Sequence, residues 1–522
     1  MSSVLHKKSI LQKTVQVGSS TLLSRFFGIL REILIGRYLG VGAIPDAFFT
    51  AFTIPNLLRK LFAEGALSAV FIPQLVSVGR QDKQQANSLI SLGFLVFQGF
   101  LFIFCCLVIC KAEFVLNLMV PGWGPERIAL AVPMLRILMP FILCVSSSAL
   151  LAGALQSVGH FFVPAFAPVL LNIVFIIGLL VCIFFSLPVA YLCSFIICGG
   201  ILQFLVHLVT YFDLKFHFGA INRQAWRNFL PILVKFLPCL VSTGVMEFSL
   251  TIVDKRFASY LPAGSITLIH YASRFMAIPL GVFAVAFSTI LLPHFSRIVT
   301  YAPKRLSFYL LETTKLVAWV TFPMTLLMVF FAEKIFHTLF LSEKFTLAHV
   351  YEAKMIFIAF SIGLVFLSLN KILLNMYFAL HVTFIPTIIA LLVALLNVGL
   401  IYCLMGAYQS VGIATAYTIS IGMVQSLLFL VFLYTRYSFR FYVRNYLKFM
   451  GMYLVQLSLL FSIFYGLYAV STKFIEMLPQ SIAHFMLYSL GFWLWVGPLC
   501  GMLLLAIFYT RRFFRIKLYF LD

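Results

Sequence analysis

Apolar residues run along the chain in long stretches, such as Leu89 to Ile109 and Pro164 to Phe185, separated by short charged or Pro/Gly-containing breaks. About 20 residues that are apolar on all sides mark a lipid-spanning helix, whereas a barrel strand alternates apolar and polar positions. Matched to that length, the runs predict about fourteen helices, near 10–36, 46–77, 86–110, 127–152, 161–186, 188–212, 229–260, 266–298, 310–337, 350–379, 383–405, 409–434, 447–471 and 483–510. An even number puts both ends of the chain on one side of the membrane.

Composition removes the soluble alternative. Of 522 residues 63% are hydrophobic and 10% charged, with a mean hydropathy of +1.07. A soluble domain has roughly 45–50% apolar and about 25% charged residues.

The formal charge of +22 arises from 37 Lys+Arg against 15 Asp+Glu, and its distribution follows the predicted topology. One set of connections holds Arg80 and Lys83; Lys215, Arg223 and Arg227; Arg297, Lys304 and Arg305; and Arg436, Arg440, Arg444 and Lys448. The basic termini belong with it, the last ending in Arg511, Arg512, Arg515 and Lys517. The opposite set pairs Lys111 with Glu113, Glu126 with Arg127, Glu333 with Lys334, Glu343 with Lys344 and Lys473 with Glu476. The positive-inside rule therefore predicts that both termini are cytoplasmic. Basic residues in short connections meet anionic lipid headgroups, and no nucleic-acid partner is expected. The ten cysteines fall mainly within apolar runs with no C-x-x-C pair, as small hydrophobes do. No small-residue cleavage site follows a short apolar core near Lys7, Lys8 and Lys13, so the first helix is expected to remain.

A repeat adds internal organisation. Asp46 to Pro55 aligns without gaps on His270 to Pro279, and each is followed by a second apolar-apolar-proline group, at Phe71-Ile72-Pro73 and Leu291-Leu292-Pro293. This pairs helix 2 with helix 8, giving two six-helix lobes at 1–215 and 216–435, with 436–522 as two further helices and a basic tail.

Ionisable side chains inside such helices are costly and concentrate at pathways and sites. Here they gather on the first two helices of each lobe: Arg25, Arg31, Glu32 and Arg37; Asp46, Arg59, Lys60 and Glu64; Lys235, Glu247, Asp254, Lys255 and Arg256; and Arg274. Arg25, Gly28 and Glu32 share one stripe, with Ser24 and Arg31 beside it. Asn56 stands three residues before Arg59, within pairing distance on a helix. One-to-one pairing with Glu32, Asp46, Glu64 and Asp254 leaves cations over. Guanidinium groups bind phosphate oxygens in bidentate fashion, which makes Arg25, Arg31, Arg59 and Arg274 a candidate phosphate or pyrophosphate clamp. The competing structural reading is that each arginine snorkels to a headgroup or closes an ion pair. His270 and His294 lack further ligands at metal spacing, and Gly40-Val-Gly42 reads as a turn.

Ser24-Arg25-Phe-Phe-Gly28-Ile-Leu-Arg31-Glu32, Asp46-Ala-Phe48, Pro55-Asn56-Leu-Leu-Arg59-Lys60, Glu64-Gly65-Ala-Leu-Ser68, Phe71-Ile-Pro73 and Tyr271-Ala-Ser-Arg274 resemble the signature of the MurJ/MviN lipid II flippases. That family belongs to the multidrug/oligosaccharidyl-lipid/polysaccharide exporter superfamily. The resemblance implies an all-α polytopic protein of the bacterial inner membrane, with two lobes enclosing a cationic cavity that opens alternately to either side. It implies transfer of lipid II from the cytoplasmic to the periplasmic leaflet for peptidoglycan synthesis, with other cell-wall synthesis proteins as partners. It assigns substrate binding to Arg25, Arg31, Arg59 and Arg274, and a supporting polar network to Ser24, Glu32, Asp46, Asn56 and Glu64. The last two helices would form a groove for the prenyl tail.

There are departures from the family pattern. Glu32 stands where Asp is common, Lys60 where a second Arg is common, and Ala277 where some members carry an acid. A sodium site in some members would fall on Asp254 and Asn397, but the further acid expected one turn later is Ile401 here. No cofactor is expected, and sodium, protons or the membrane potential remain alternative energy sources. Two other readings stay open: a drug or lipid-linked oligosaccharide exporter of the same superfamily, whose cation-exporting form should have an acid-rich cavity, and a membrane enzyme acting on prenyl phosphates, which should show clustered aspartates where Asp82 and Asp213 stand alone.

Overall fold

The computed structural model of the chain describes residues 7–65, 71, 74–79, 82–281, 286–380, 382, 384–437 and 443–521. Ser68, Ile72, Pro73, Arg80 and Arg440, and the side chains of Glu64, Lys235 and Glu247, lie outside the described residues. The described chain is helical with short turns and contains no strand beyond an isolated bridge between Ser342 and Phe345. It is an all-α polytopic membrane protein, as its apolar runs require: with no water in the bilayer core, the backbone must satisfy its own hydrogen bonds.

Among the described residues, nine helical segments are long and apolar enough to cross a membrane. One of them, Phe384–Thr435, has 52 residues, about 78 Å at 1.5 Å per residue and far more than a bilayer core of about 30 Å. It is a helical hairpin. The chain reverses at Gln409, whose φ of 46° is left-handed. Just beyond, Gly412 sits so close to Leu404 that a Cβ would lie 2.6 Å from its carbonyl oxygen. Ser420 Oγ then donates to Asn397 Oδ1 across the hairpin at 2.9 Å. The two arms are the spans read at 383–405 and 409–434.

The 33-residue helix Lys7–Leu39 is long enough to span but is not among the nine, because Arg25, Arg31, Glu32 and Arg37 interrupt its apolar surface. The expected spans 46–77 and 266–298 run across residues outside the description.

The chain divides into two compact units, residues 1–267 and 268–522. In the first, Lys7–Leu39 packs on Phe162–Phe184, which packs on Val189–Asp213. The helix Arg223–Ala258 packs against Ala43–Arg59 and Lys83–Gly93 of the same unit. Ala43–Arg59 contains Pro55 and continues as a wide π-type turn, Lys60–Gly65. Proline removes one helical hydrogen bond, and a π turn re-spaces those that follow.

In the second unit, Val443–Glu476 and Phe492–Thr510 pack on Leu306–Phe330 through a buried cluster that includes Leu316, Tyr453, Leu457, Phe492 and Leu503. Tyr453 OH donates to the Trp319 carbonyl at 2.7 Å, a polar tie between these helices. Their outer residues, among them Val455, Ile463 and Val470, are exposed as lipid-facing positions should be.

Candidate functional site

The first helix, Lys7–Leu39, carries a polar knot built around Arg31. Its Nη2 donates to Glu32 Oε1 at 2.6 Å and its Nη1 to Asn172 Oδ1 at 2.9 Å, and the guanidinium lies 5.1 Å from the centre of the Phe175 ring. Asn172 Nδ2 in turn donates to the backbone carbonyl of Ser24 at 3.2 Å. Ser24, Arg31, Glu32 and Asn172 therefore form one connected set, in which Asn172 and Phe175 sit about one turn apart on Phe162–Phe184. Charge-assisted bonds and a ring face fix the guanidinium plane, although Arg31 Nε is buried without a hydrogen-bond partner.

Arg25 lies two turns earlier on the same helix. It is half-buried and makes no hydrogen bond or ion pair to any described residue. Glu32 is committed to Arg31, so the positive charge of Arg25 is not cancelled within this set.

On the second helix, Ala43–Arg59, the half-buried Arg59 donates from both Nε and Nη2 to Asn56 Oδ1, at 3.1 and 3.0 Å. The spacing of three residues brings the two side chains together on one face. The amide orients the guanidinium.

Asp46 stands apart from this polar set. Only 1% exposed, its carboxylate accepts from Gly264 N at 2.7 Å, Thr267 N at 2.8 Å and Thr267 Oγ1 at 2.5 Å. It caps the start of the helix Ser265–Pro279, where unsatisfied N–H groups and the helix dipole favour an anion. Gly264 permits this approach with φ of 100°, and a Cβ there would meet Val41 Cγ1 at 2.3 Å. A second tie lies nearby: Lys255 Nζ donates to the Phe49 carbonyl at 2.7 Å and bonds Thr53 Oγ1. Asp46 and Lys255 thus fasten the first half of the second helix, and Asp46 is withdrawn from the pool of counter-charges for the arginines.

The remaining sequence candidates lie elsewhere. Arg274, in the second unit, is exposed. Asn397 is buried and engaged by Ser420, and Ile401 one turn on is fully buried. Asp254 belongs to the first unit. Among the described residues there is no group of three His, Cys, Asp or Glu side chains that could hold a metal ion. Asn172 was missed by sequence reasoning, although it is the only amide in an otherwise apolar 23-residue helix.

Guanidinium groups held by an amide or a carboxylate, at Arg31 and Arg59, and one without a counter-ion among the described residues, at Arg25, have the chemistry of anion binding, with no nucleophile–base pair among them. The family model described as Lipid II flippase MurJ matches residues 35–487. The chain belongs to this MurJ family. It is 35% identical over 386 residues to the Lipid II flippase MurJ of Burkholderia cenocepacia, covering 71% of this chain and 73% of that protein. A probable lipid II flippase MurJ of Buchnera aphidicola subsp. Acyrthosiphon pisum is 32% identical over 427 residues, covering 79% and 81%. A solved structure of the lipid II flippase MurJ in an inward closed conformation superposes with a TM-score of 0.77 at 25% identity, over 96% of this chain and 99% of that one. An inward-facing transporter of the multidrug resistance MATE family shares the fold, with a TM-score of 0.67 at 14% identity over 81% and 98% of the two chains. MurJ membership places the chain among transporters, so the reading as a prenyl-phosphate enzyme falls away.

Proposed function

We propose that the chain carries lipid II, an undecaprenyl pyrophosphate bearing the peptidoglycan building block, from the cytoplasmic to the periplasmic leaflet of the bacterial inner membrane by alternating access. Both termini are then cytoplasmic, as the basic connections require. Arg25, Arg31, Arg59 and Arg274 are the cationic groups that bind the pyrophosphate, with Ser24, Glu32 and Asn56 orienting them. The single observation that supports this best is on the first helix, where Arg31 is locked in place by Glu32 and Asn172 while the neighbouring Arg25 has no counter-ion among the described residues. A guanidinium cannot shed its proton, so its charge is stabilised by an arriving anion. Movement of a pyrophosphate diester with two negative charges out of a negative cytoplasm releases about 4 to 5 kcal/mol per 100 mV, which makes the membrane potential a sufficient energy source.

The test is sidedness of labelled lipid II in vesicles containing the full chain under an imposed potential. Arg25→Ala, Arg31→Ala, Arg59→Ala and Arg274→Ala are each expected to cut translocation by about tenfold or more. Full activity in all four would refute the arginine assignment, and no translocation by the unaltered chain would refute the function itself.

A further inference from the structure

The second unit contains a separate basic pocket that the proposed transport site does not use. It is created by the segment after the last helix, which folds back instead of trailing away. Arg515 N donates to the Arg512 carbonyl at 3.0 Å and Ile516 N to the Arg511 carbonyl at 2.9 Å, while Arg515 itself has φ of 54°. This is the Schellman helix ending, with arginine in the left-handed position that glycine usually fills. Beyond it the side chains alternate. Ile516 and Leu518 are each 1% exposed and join the apolar cluster around Phe449 and Tyr453, whereas Arg515 and Lys517 stay exposed. Period-two alternation places those two cations on one edge of an extended strip. Two hydrogen bonds fasten it, Tyr519 N to Glu312 Oε2 at 3.2 Å and Arg511 Nη2 to the Leu521 carbonyl at 2.8 Å.

Between this strip and the beginnings of Leu306–Phe330 and Val443–Glu476 is a pocket of about 350 Å³ lined by Lys315, Lys448, Arg515, Lys517 and the single carboxylate Glu312. Glu312 is already spent: Oε1 holds Lys315 Nζ at 2.6 Å and Oε2 holds the tail. Among the described residues, Lys448, Arg515 and Lys517 therefore face the pocket with no carboxylate left to neutralise them. Phe308, Phe449 and Met452 supply an apolar wall beside the charges.

We propose that this pocket binds the phosphate headgroup of an anionic membrane phospholipid. Three cations fit a phosphodiester, the volume fits a glycerophosphate, and the apolar wall continues onto two membrane-length helices along which acyl chains can lie. A merely solvated basic face needs no strip pinned down by buried Ile516 and Leu518.

The experiment is competitive retention. The full chain in detergent receives equal amounts of phosphatidylglycerol and phosphatidylcholine, and the lipid that co-purifies is measured. Phosphatidylglycerol should be retained at least about fivefold over phosphatidylcholine, a preference of the size expected when basic side chains meet an anionic headgroup. The triple variant K448Q/R515Q/K517Q should lose that preference. Arg515→Gly supplies the folding control, because glycine suits the left-handed position while removing one charge, so retention should fall with no loss of thermal stability. Equal retention of both lipids by the unaltered chain, an unchanged preference in the triple variant, or displacement of the lipid by millimolar inorganic phosphate would overturn the proposal; the last would identify a free-phosphate site instead.

Discussion

Asp46 and Arg25 are both charged groups on helices of the first unit, and their surroundings are opposite. Asp46 accepts three hydrogen bonds from Gly264 and Thr267 and is all but inaccessible. Arg25 is half-buried and has no hydrogen bond or ion pair to any described residue. Charge inside a membrane protein is costly in both cases. Asp46 recovers the cost within the fold and so acts as a fastener, whereas no described residue repays it for Arg25, which is the condition the proposed anion site needs. Satisfaction by the protein, more than charge or position, separates the two roles.

The sharpest way to break this contrast is Asp46→Ala. It strands two buried N–H groups and removes bonds to a charged acceptor that are worth about 1.5 to 3 kcal/mol each, so a loss of at least about 3 kcal/mol is expected. A large drop in thermal midpoint in detergent should report it, and a midpoint near that of the unaltered chain would mean the carboxylate fastens nothing. Gly264→Ala attacks the same fastening from the backbone, adding left-handed strain and a contact with Val41; about 1 to 3 kcal/mol of destabilisation is expected by the same measurement. Arg25→Ala should behave oppositely, cutting lipid II translocation by about tenfold, equivalent to roughly 1.4 kcal/mol, while the thermal midpoint stays put. A destabilised Arg25→Ala protein would make that arginine a structural element and collapse the distinction. The smallest effect is expected from Asn172→Leu, which removes one of the bonds that orient Arg31 but keeps its charge and its Glu32 partner. Translocation should fall by only about threefold, the loss of one hydrogen bond of roughly 1 kcal/mol or less.

The nine segments that qualify as spans among the described residues were legible because lipid imposes a length and an apolar surface that each run displays by itself. The pairing of Arg59 with Asn56 was equally local, since three residues on a helix set the distance. Asp46 was not legible in this way. It stood in the sequence among candidate network residues, but its partners Gly264 and Thr267 are more than 200 positions away, and no periodicity links them. Asn172 illustrates the intermediate case: a lone amide in an apolar helix was visible as an oddity, but only packing of Phe162–Phe184 on the first helix shows that it serves Arg31. Folding back of the tail was hidden for a similar reason. The alternation Arg515-Ile516-Lys517-Leu518 can be seen in the letters, while the surface that receives Ile516 and Leu518 cannot.

The second helix is pinned through Asp46 and Lys255 before Pro55, and it carries Arg59 after it, immediately ahead of the widened turn Lys60–Gly65. A rod bolted at one end and notched near its middle flexes at the notch. Any swing of the Arg59 end can therefore proceed while the bolted end stays still, so its guanidinium group can move without loosening the scaffold that holds the helix.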